Sequence, residues 1–152
     1  AGCDVLAQHC DTTAPQEASE NNGTWAIGYN SDMSKETPKA TLTSVIWNWS
    51  AYYTSYISSI INASYSGENY YGGMKESLVS LTELSSLCDD QTAEKVKEAK
   101  EKIVSGDFGI FDGVLKTNTG KSIGEEGKTL DDSTITGEIN WYYHNVSELK
   151  WK

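Results

Sequence analysis

The chain has 152 residues, 22 of them Asp or Glu and 12 Lys, with no arginine and a formal net charge of -10. That length holds one ordinary domain of roughly 100–150 residues, and five Trp, nine Tyr and two Phe are more aromatic surface than a disordered chain carries. An acidic chain without the guanidinium fork is unsuited to duplex DNA, RNA or an anionic membrane, and no apolar run approaches the roughly 18 residues of a membrane span.

Val5 to Gln8 reads as a first short strand, Ala14 to Asn22 as a helix closed by Asn21-Asn22-Gly23, and Thr24 to Tyr29 as a second strand. Strand, helix and strand in about 30 residues form the βαβ unit of a parallel sheet. A loop from Asn30 to Lys39 leads to a third strand, Ala40 to Ile46. The period then changes: Trp49, Tyr52, Tyr53, Tyr56, Ile57, Ile60 and Ile61 fall on one face of a helix running to about Ala63. Taken alone, such a stripe is expected to be a buried core face.

Ser66 to Asn69 ends that helix, Tyr70-Tyr71-Gly72-Gly73 makes a turn, and Leu78 to Leu84 reads as extended. Gln91 to Ser105 is the clearest helix, with Ala93, Val96, Ile103 and Val104 on its inner side, a Glu98 to Lys102 pair, and Gly106 at the stop. Ile110 to Lys116 and Ser122-Ile123 form a hairpin across Asn118-Thr119-Gly120, and Asp131 to Ile139 a capped helical turn. Cys3, Cys10 and Cys88 match no zinc spacing and are expected to be small, unpaired core residues. Ala1-Gly2-Cys3 has the look of a lipoprotein cleavage site, but Asp4 to Ala7 follows as a strand without a polar tether, so Cys3 is not read as an anchor.

No HExxH, Walker A, GxSxG or GxGxxG pattern is present, and His9 and Cys10, adjacent in an extended stretch, point to opposite faces. Placement is more informative than motif. Gln8-His9-Cys10-Asp11 follows the first strand, Asn30-Ser31-Asp32 the second, and Trp47 and Trp49 the third. In an open α/β sheet these carboxyl ends are where ligands bind. Polar side chains beside flat aromatic faces suit a small planar polar molecule.

Asp4-Val5-Leu6-Ala7-Gln8-His9, Ala14-Pro15-Gln16 and Ile27-Gly28-Tyr29-Asn30-Ser31-Asp32-Met33 resemble the basic membrane protein (BMP) family of substrate-binding lipoproteins. The likeness continues through Leu42 to Trp49, Tyr70 to Lys75, Lys102 to Gly106 and Phe111-Asp112-Gly113, in order from residue 4 to about 146. The resemblance implies a type I periplasmic-binding-protein-like α/β fold, with a parallel sheet flanked by helices, of which this chain matches the C-terminal segment of a two-lobed protein. It implies residues 1–46 in the C-terminal lobe, 47–73 as hinge crossing and aromatic helix packing on the other lobe, and 74–152 returning to the first. It also implies capture of a purine base or nucleoside for an ABC transporter permease. The protein would be extracytoplasmic, at the cell surface or in the periplasm, and lipid-anchored through a cysteine outside this sequence, with no cofactor, metal or catalytic residue.

The ligand set carried over is Gln8, His9, Asp11, Asn30, Asp32 and Trp47. The family's strand-end Asp, which grips ribose hydroxyls, falls on Asn30, and its Lys after the Thr-Ser pair falls on Trp47. An amide lacks the carboxylate's pull on a diol, and an indole stacks where an ammonium would not. Both departures favour a free base such as adenine. The face of the aromatic helix, if it packs on the other lobe, is expected to be bare in this chain and to pair with the N-terminal part or a second copy. The competing readings are a hydrolase acting on nucleosides or glycosides through Asp11 and Asp32, and a ligand-binding sensor.

Overall fold

β1 (Val5–Ala7), β2 (Trp25–Asn30), β3 (Thr41–Trp47) and β4 (Val79–Leu81) lie side by side in that order in one sheet. β1 pairs β2 and β2 pairs β3 in parallel, while β4 runs antiparallel to β3. These positions come from a computed structural model, which describes residues 2–147. The last residues of the tail expected to return to the first lobe lie outside them. The chain divides into two units, Ala1–Ser105 and Gly106–Lys152.

The βαβ reading is borne out. α1 (Ala14–Asn22) makes the crossover, with Pro15 in its first turn, where a missing N–H costs nothing. Gly23 ends it at φ 66°, a left-handed conformation that a Cβ disfavours, and the N–H groups of Gly23 and Thr24 return to the carbonyls of Glu20 and Ser19. The centre of the sheet face under α1 is built from small residues, Ala26, Gly28 and Ser44. Gly28 lies so close to β3 that a Cβ there would stand 2.3 Å from the Ser44 hydroxyl. Ser44 is fully buried, and its Oγ accepts the Met33 N–H at 3.2 Å. Gln16, also fully buried, donates to the Ile27 carbonyl and accepts from Gln8 Nε2.

By strand alternation the other face carries Val5, Trp25, Ile27, Tyr29, Val45, Trp47, Val79 and Leu81. None of these is buried, and Trp25 is 46% exposed. α2 (Trp49–Ile61) forms where the aromatic stripe predicts it, but none of its residues is buried. Trp49, Tyr53, Ile57 and Ile60 face solvent. Tyr52 and Tyr56 are half-covered, by Tyr70 at 4.7 Å and Tyr65 at 4.9 Å between ring centroids. The stripe is therefore not a core face within this chain, because no layer of the described residues closes over it.

β4 lies within the stretch expected to be extended, and α3 (Asp90–Ser105) matches its expected span. Ala93, Val96 and Ile103 are half-buried and Val104 is exposed. Lys97 pairs with Glu94 at 3.6 Å, in place of the expected Glu98 to Lys102 pair. In the second unit, β5 (Leu115–Lys116) and β6 (Ser122–Ile123) form the expected hairpin, and α4 (Asp132–Gly137) begins at Asp131, whose side chain accepts the Thr134 N–H. The cysteines are unpaired as expected, but Cys3 and Cys10 are exposed and Cys88 is half-buried. None of the three is buried.

Candidate functional site

The parallel strands β1, β2 and β3 bring three loop starts to one end of the sheet. Gln8 opens the first loop, and its amide serves as a clamp. Its Oε1 accepts the Cys10 N–H at 2.7 Å, while its Nε2 donates to Gln16 Oε1 at 2.7 Å and the Thr12 carbonyl at 3.0 Å. Turned inward on α1, Gln8 shapes the loop. That fold sends His9 to the ring of Tyr29, 4.3 Å between centroids, and Asp11 to Asn30, whose Nδ2 donates to Asp11 Oδ1 at 3.2 Å.

Asn30 ends β2 at φ 68°, a left-handed conformation that asparagine tolerates better than most residues. The Ser31 N–H bonds back to the Tyr29 carbonyl at 2.8 Å, which tightens the exit. Asp32 turns into its own loop and accepts the Ser34 N–H at 3.0 Å. Hydrogen bonds from the Ser34 side chain and backbone, with Lys35 nearby, hold the Asp32 carboxyl below its ordinary range.

A cavity of about 140 Å³ opens here, lined by Asp11, Thr12, Thr13, Tyr29, Asn30, Ser31 and Met33. Of the six residues expected from sequence, it gathers Asp11 and Asn30. Gln8, His9, Asp32 and Trp47 are outside its lining. A larger, more apolar hollow of about 460 Å³ lies in the second unit, among residues that include Phe108, Phe111, Trp141 and Tyr143. Only the smaller one stands at the ends of parallel strands.

Aromatic rings continue across the same strand ends. Tyr29 meets Trp47 in a T-shaped contact at 6.3 Å, Trp47 stacks on Trp49 at 5.8 Å, and Trp49 leads to Tyr53 at 6.2 Å. Trp47 is half-buried within this row. Tyr29 joins the ring row to the polar cavity, and sequence reasoning passed over it. Its signal was present: it shares the face of Val45 by register, two residues before Trp47. Met33 and the Thr12-Thr13 pair were passed over as well, being unremarkable residues that topology alone brings in.

An amide and a carboxylate beside a tyrosine ring can hold a small polar molecule by hydrogen bonds and ring contact. Among the described residues, no three His, Cys, Asp or Glu side chains converge as a metal site would need, and no helix is long and apolar enough to cross a membrane.

The family model described as "ABC transporter substrate-binding protein PnrA-like" matches residues 1–114. A purine-binding protein of Brucella abortus is 31% identical over 147 residues, 97% of this chain and 41% of that protein. A Haloferax volcanii protein named as a putative ABC transporter glucose-binding protein is 29% identical over 112 residues, 74% of this chain and 29% of its own length. Among solved structures, a transcriptional activator of the comK gene from Bacillus halodurans superposes with a TM-score of 0.60 at 25% identity, covering 69% of this chain and 38% of that one. An ABC transporter solute-binding protein from Conexibacter woesei shares the fold, with a TM-score of 0.50 at 18% identity over 70% of this chain and 37% of that one. The chain thus spans less than half the length of these relatives. The resemblance read from the sequence is borne out: this chain belongs to the PnrA-like (Bmp) family of ABC transporter substrate-binding proteins.

Proposed function

We propose that this chain is part of a receptor that captures a purine outside the cytoplasm and delivers it to an ABC transporter permease, with a free base such as adenine preferred over a nucleoside. The observation that carries the purine is the likeness to the Brucella purine-binding protein along 97% of this chain. The strand-end chemistry supports it. Asn30 and Asp11 offer hydrogen bonds to a heterocycle, and the Tyr29 ring lines the same cavity.

In this reading Asp11 and Asn30 form the polar wall, His9 and Trp47 supply ring surface from either side of Tyr29, and Gln8 and Asp32 hold the loops. Residues 1–46 and 74–152 form mainly one lobe, and 47–73 reach toward another. A lipid anchor on a cysteine outside this sequence would keep the receptor at the membrane. The rest of a two-lobed protein, or a second copy, covers the bare faces.

Isothermal titration calorimetry of the whole receptor that carries this chain, with adenine, adenosine and glucose, tests the ligand. Heat with adenine and little with glucose is expected. Adenosine binding without adenine binding defeats the base preference, and glucose binding alone defeats the purine. A sensor role would use the same site, and the comK activator shows only a similar fold. The hydrolase reading has less support, since Asp11 and Asp32 do not line one cavity.

A further inference from the structure

We infer that Asp11 is a positioning residue that fixes which way the Asn30 amide faces, and that this makes the site selective for a 6-amino over a 6-oxo purine. The inference rests on the purine reading above and adds to it the chemistry of one side of the ring.

A side-chain amide has a donor end and an acceptor end, and by itself it can present either. A carboxylate only accepts. With Asp11 Oδ1 at 3.2 Å from Asn30 Nδ2, the NH₂ end must turn to Asp11, because the flipped amide would set a carbonyl oxygen against a carboxylate oxygen. The backbone limits any escape: Asn30 is held at φ 68°, and the Ser31 N–H is tied to the Tyr29 carbonyl. Asp11 is brought there by a loop that Gln8 pins at Cys10 and Thr12.

The locked amide keeps its carbonyl oxygen and its second N–H for the cavity that both residues line. That is one acceptor beside one donor. An adenine-type ring presents the complement, an amino donor beside a ring-nitrogen acceptor, the pairing by which asparagine reads adenine in nucleic acids. A 6-oxo purine presents two acceptors on that side, and one of them would face the Asn30 carbonyl.

The test is competitive calorimetry of the whole receptor that carries this chain, with adenine and hypoxanthine, for the wild type, Asp11→Asn and Asp11→Ala. The wild type is expected to prefer adenine by roughly 5- to 100-fold, the span of one bidentate base contact. Asp11→Asn can pair with Asn30 in either sense, so the ratio should fall toward one in both variants. A ratio retained in Asp11→Ala overturns the inference while leaving purine binding intact. A wild type that binds neither base overturns the purine reading and the selectivity together. The positioning itself is read without ligand, from the ¹⁵N-labelled side-chain amide signals. The Asn30 pair should shift in Asp11→Ala, and an unchanged signal overturns the positioning whether or not a purine binds.

Discussion

Two residues with no polar role of their own in the cavity hold its loops in place. Gly28 permits the contact between β2 and β3, and Gly28→Ala would press a methyl into the buried Ser44 side chain, which is already held by the Met33 N–H. Overpacking of this kind costs about 1–3 kcal/mol, so the urea midpoint should fall with little change in slope. Gln16→Leu removes the donor to the Ile27 carbonyl and the acceptor for Gln8. Losing these two part-buried hydrogen bonds costs about 1–3 kcal/mol, and the first loop should loosen as well, visible as faster amide exchange at Cys10. Asp11 and Asn30 were legible in the sequence because strand ends of a parallel sheet converge whatever the side chains do. The inward turn of Gln8 was not, since it depends on Gln16 eight residues later, on a helix whose rotation periodicity does not define. Asp32 falls outside the cavity for a related reason: Ser34, two residues on, engages its carboxylate in a local turn.

Helices and strands were the most legible level, and the reasons are local. Gly23, the β-branched run before Trp47 and the stripe from Trp49 each signal their element within a few residues. What covers each element is a matter of the remaining chain, and there the reading of α2 as core departed from the structure. α3 offers a test of its own start. The Asp89 carboxylate accepts the Thr92 N–H at 2.7 Å, and hydrogen bonds from the Thr92 side chain and backbone lower its pKa from the ordinary 3.8. A lowered carboxyl stabilises the fold above its unfolded pKa, and that contribution is lost as pH falls through the lower folded value. Acidification below about pH 4 should therefore fray the first turn of α3. Asp89→Ala should show the same fraying at pH 7, measured as exchange of the Thr92 amide. If Thr92 exchanges equally fast in both proteins at pH 7, the cap is not formed.

At the scale of the molecule, two apolar surfaces are exposed: the α2 stripe, and the Val5–Trp25 edge of the sheet. Exposed patches of this kind mark contact surfaces, and the purine-binding relative from Brucella abortus is more than twice as long as this chain. The chain alone is expected to associate in light scattering, and Ile57→Lys should reduce that association. Because Ile57 is 54% exposed, the same substitution should leave stability within about 0.5 kcal/mol. A monodisperse monomer of wild type would remove the argument for a covered face. The order of the strands also governs how such association ends. The sheet terminates on β1 and β4, each only three residues long, so its rims offer an incoming strand few unpaired N–H and C=O groups. Short rims are a common guard against open-ended strand addition. A chain built this way sticks by its faces and not by its rims, so its assemblies should saturate at a fixed stoichiometry instead of growing into fibrils.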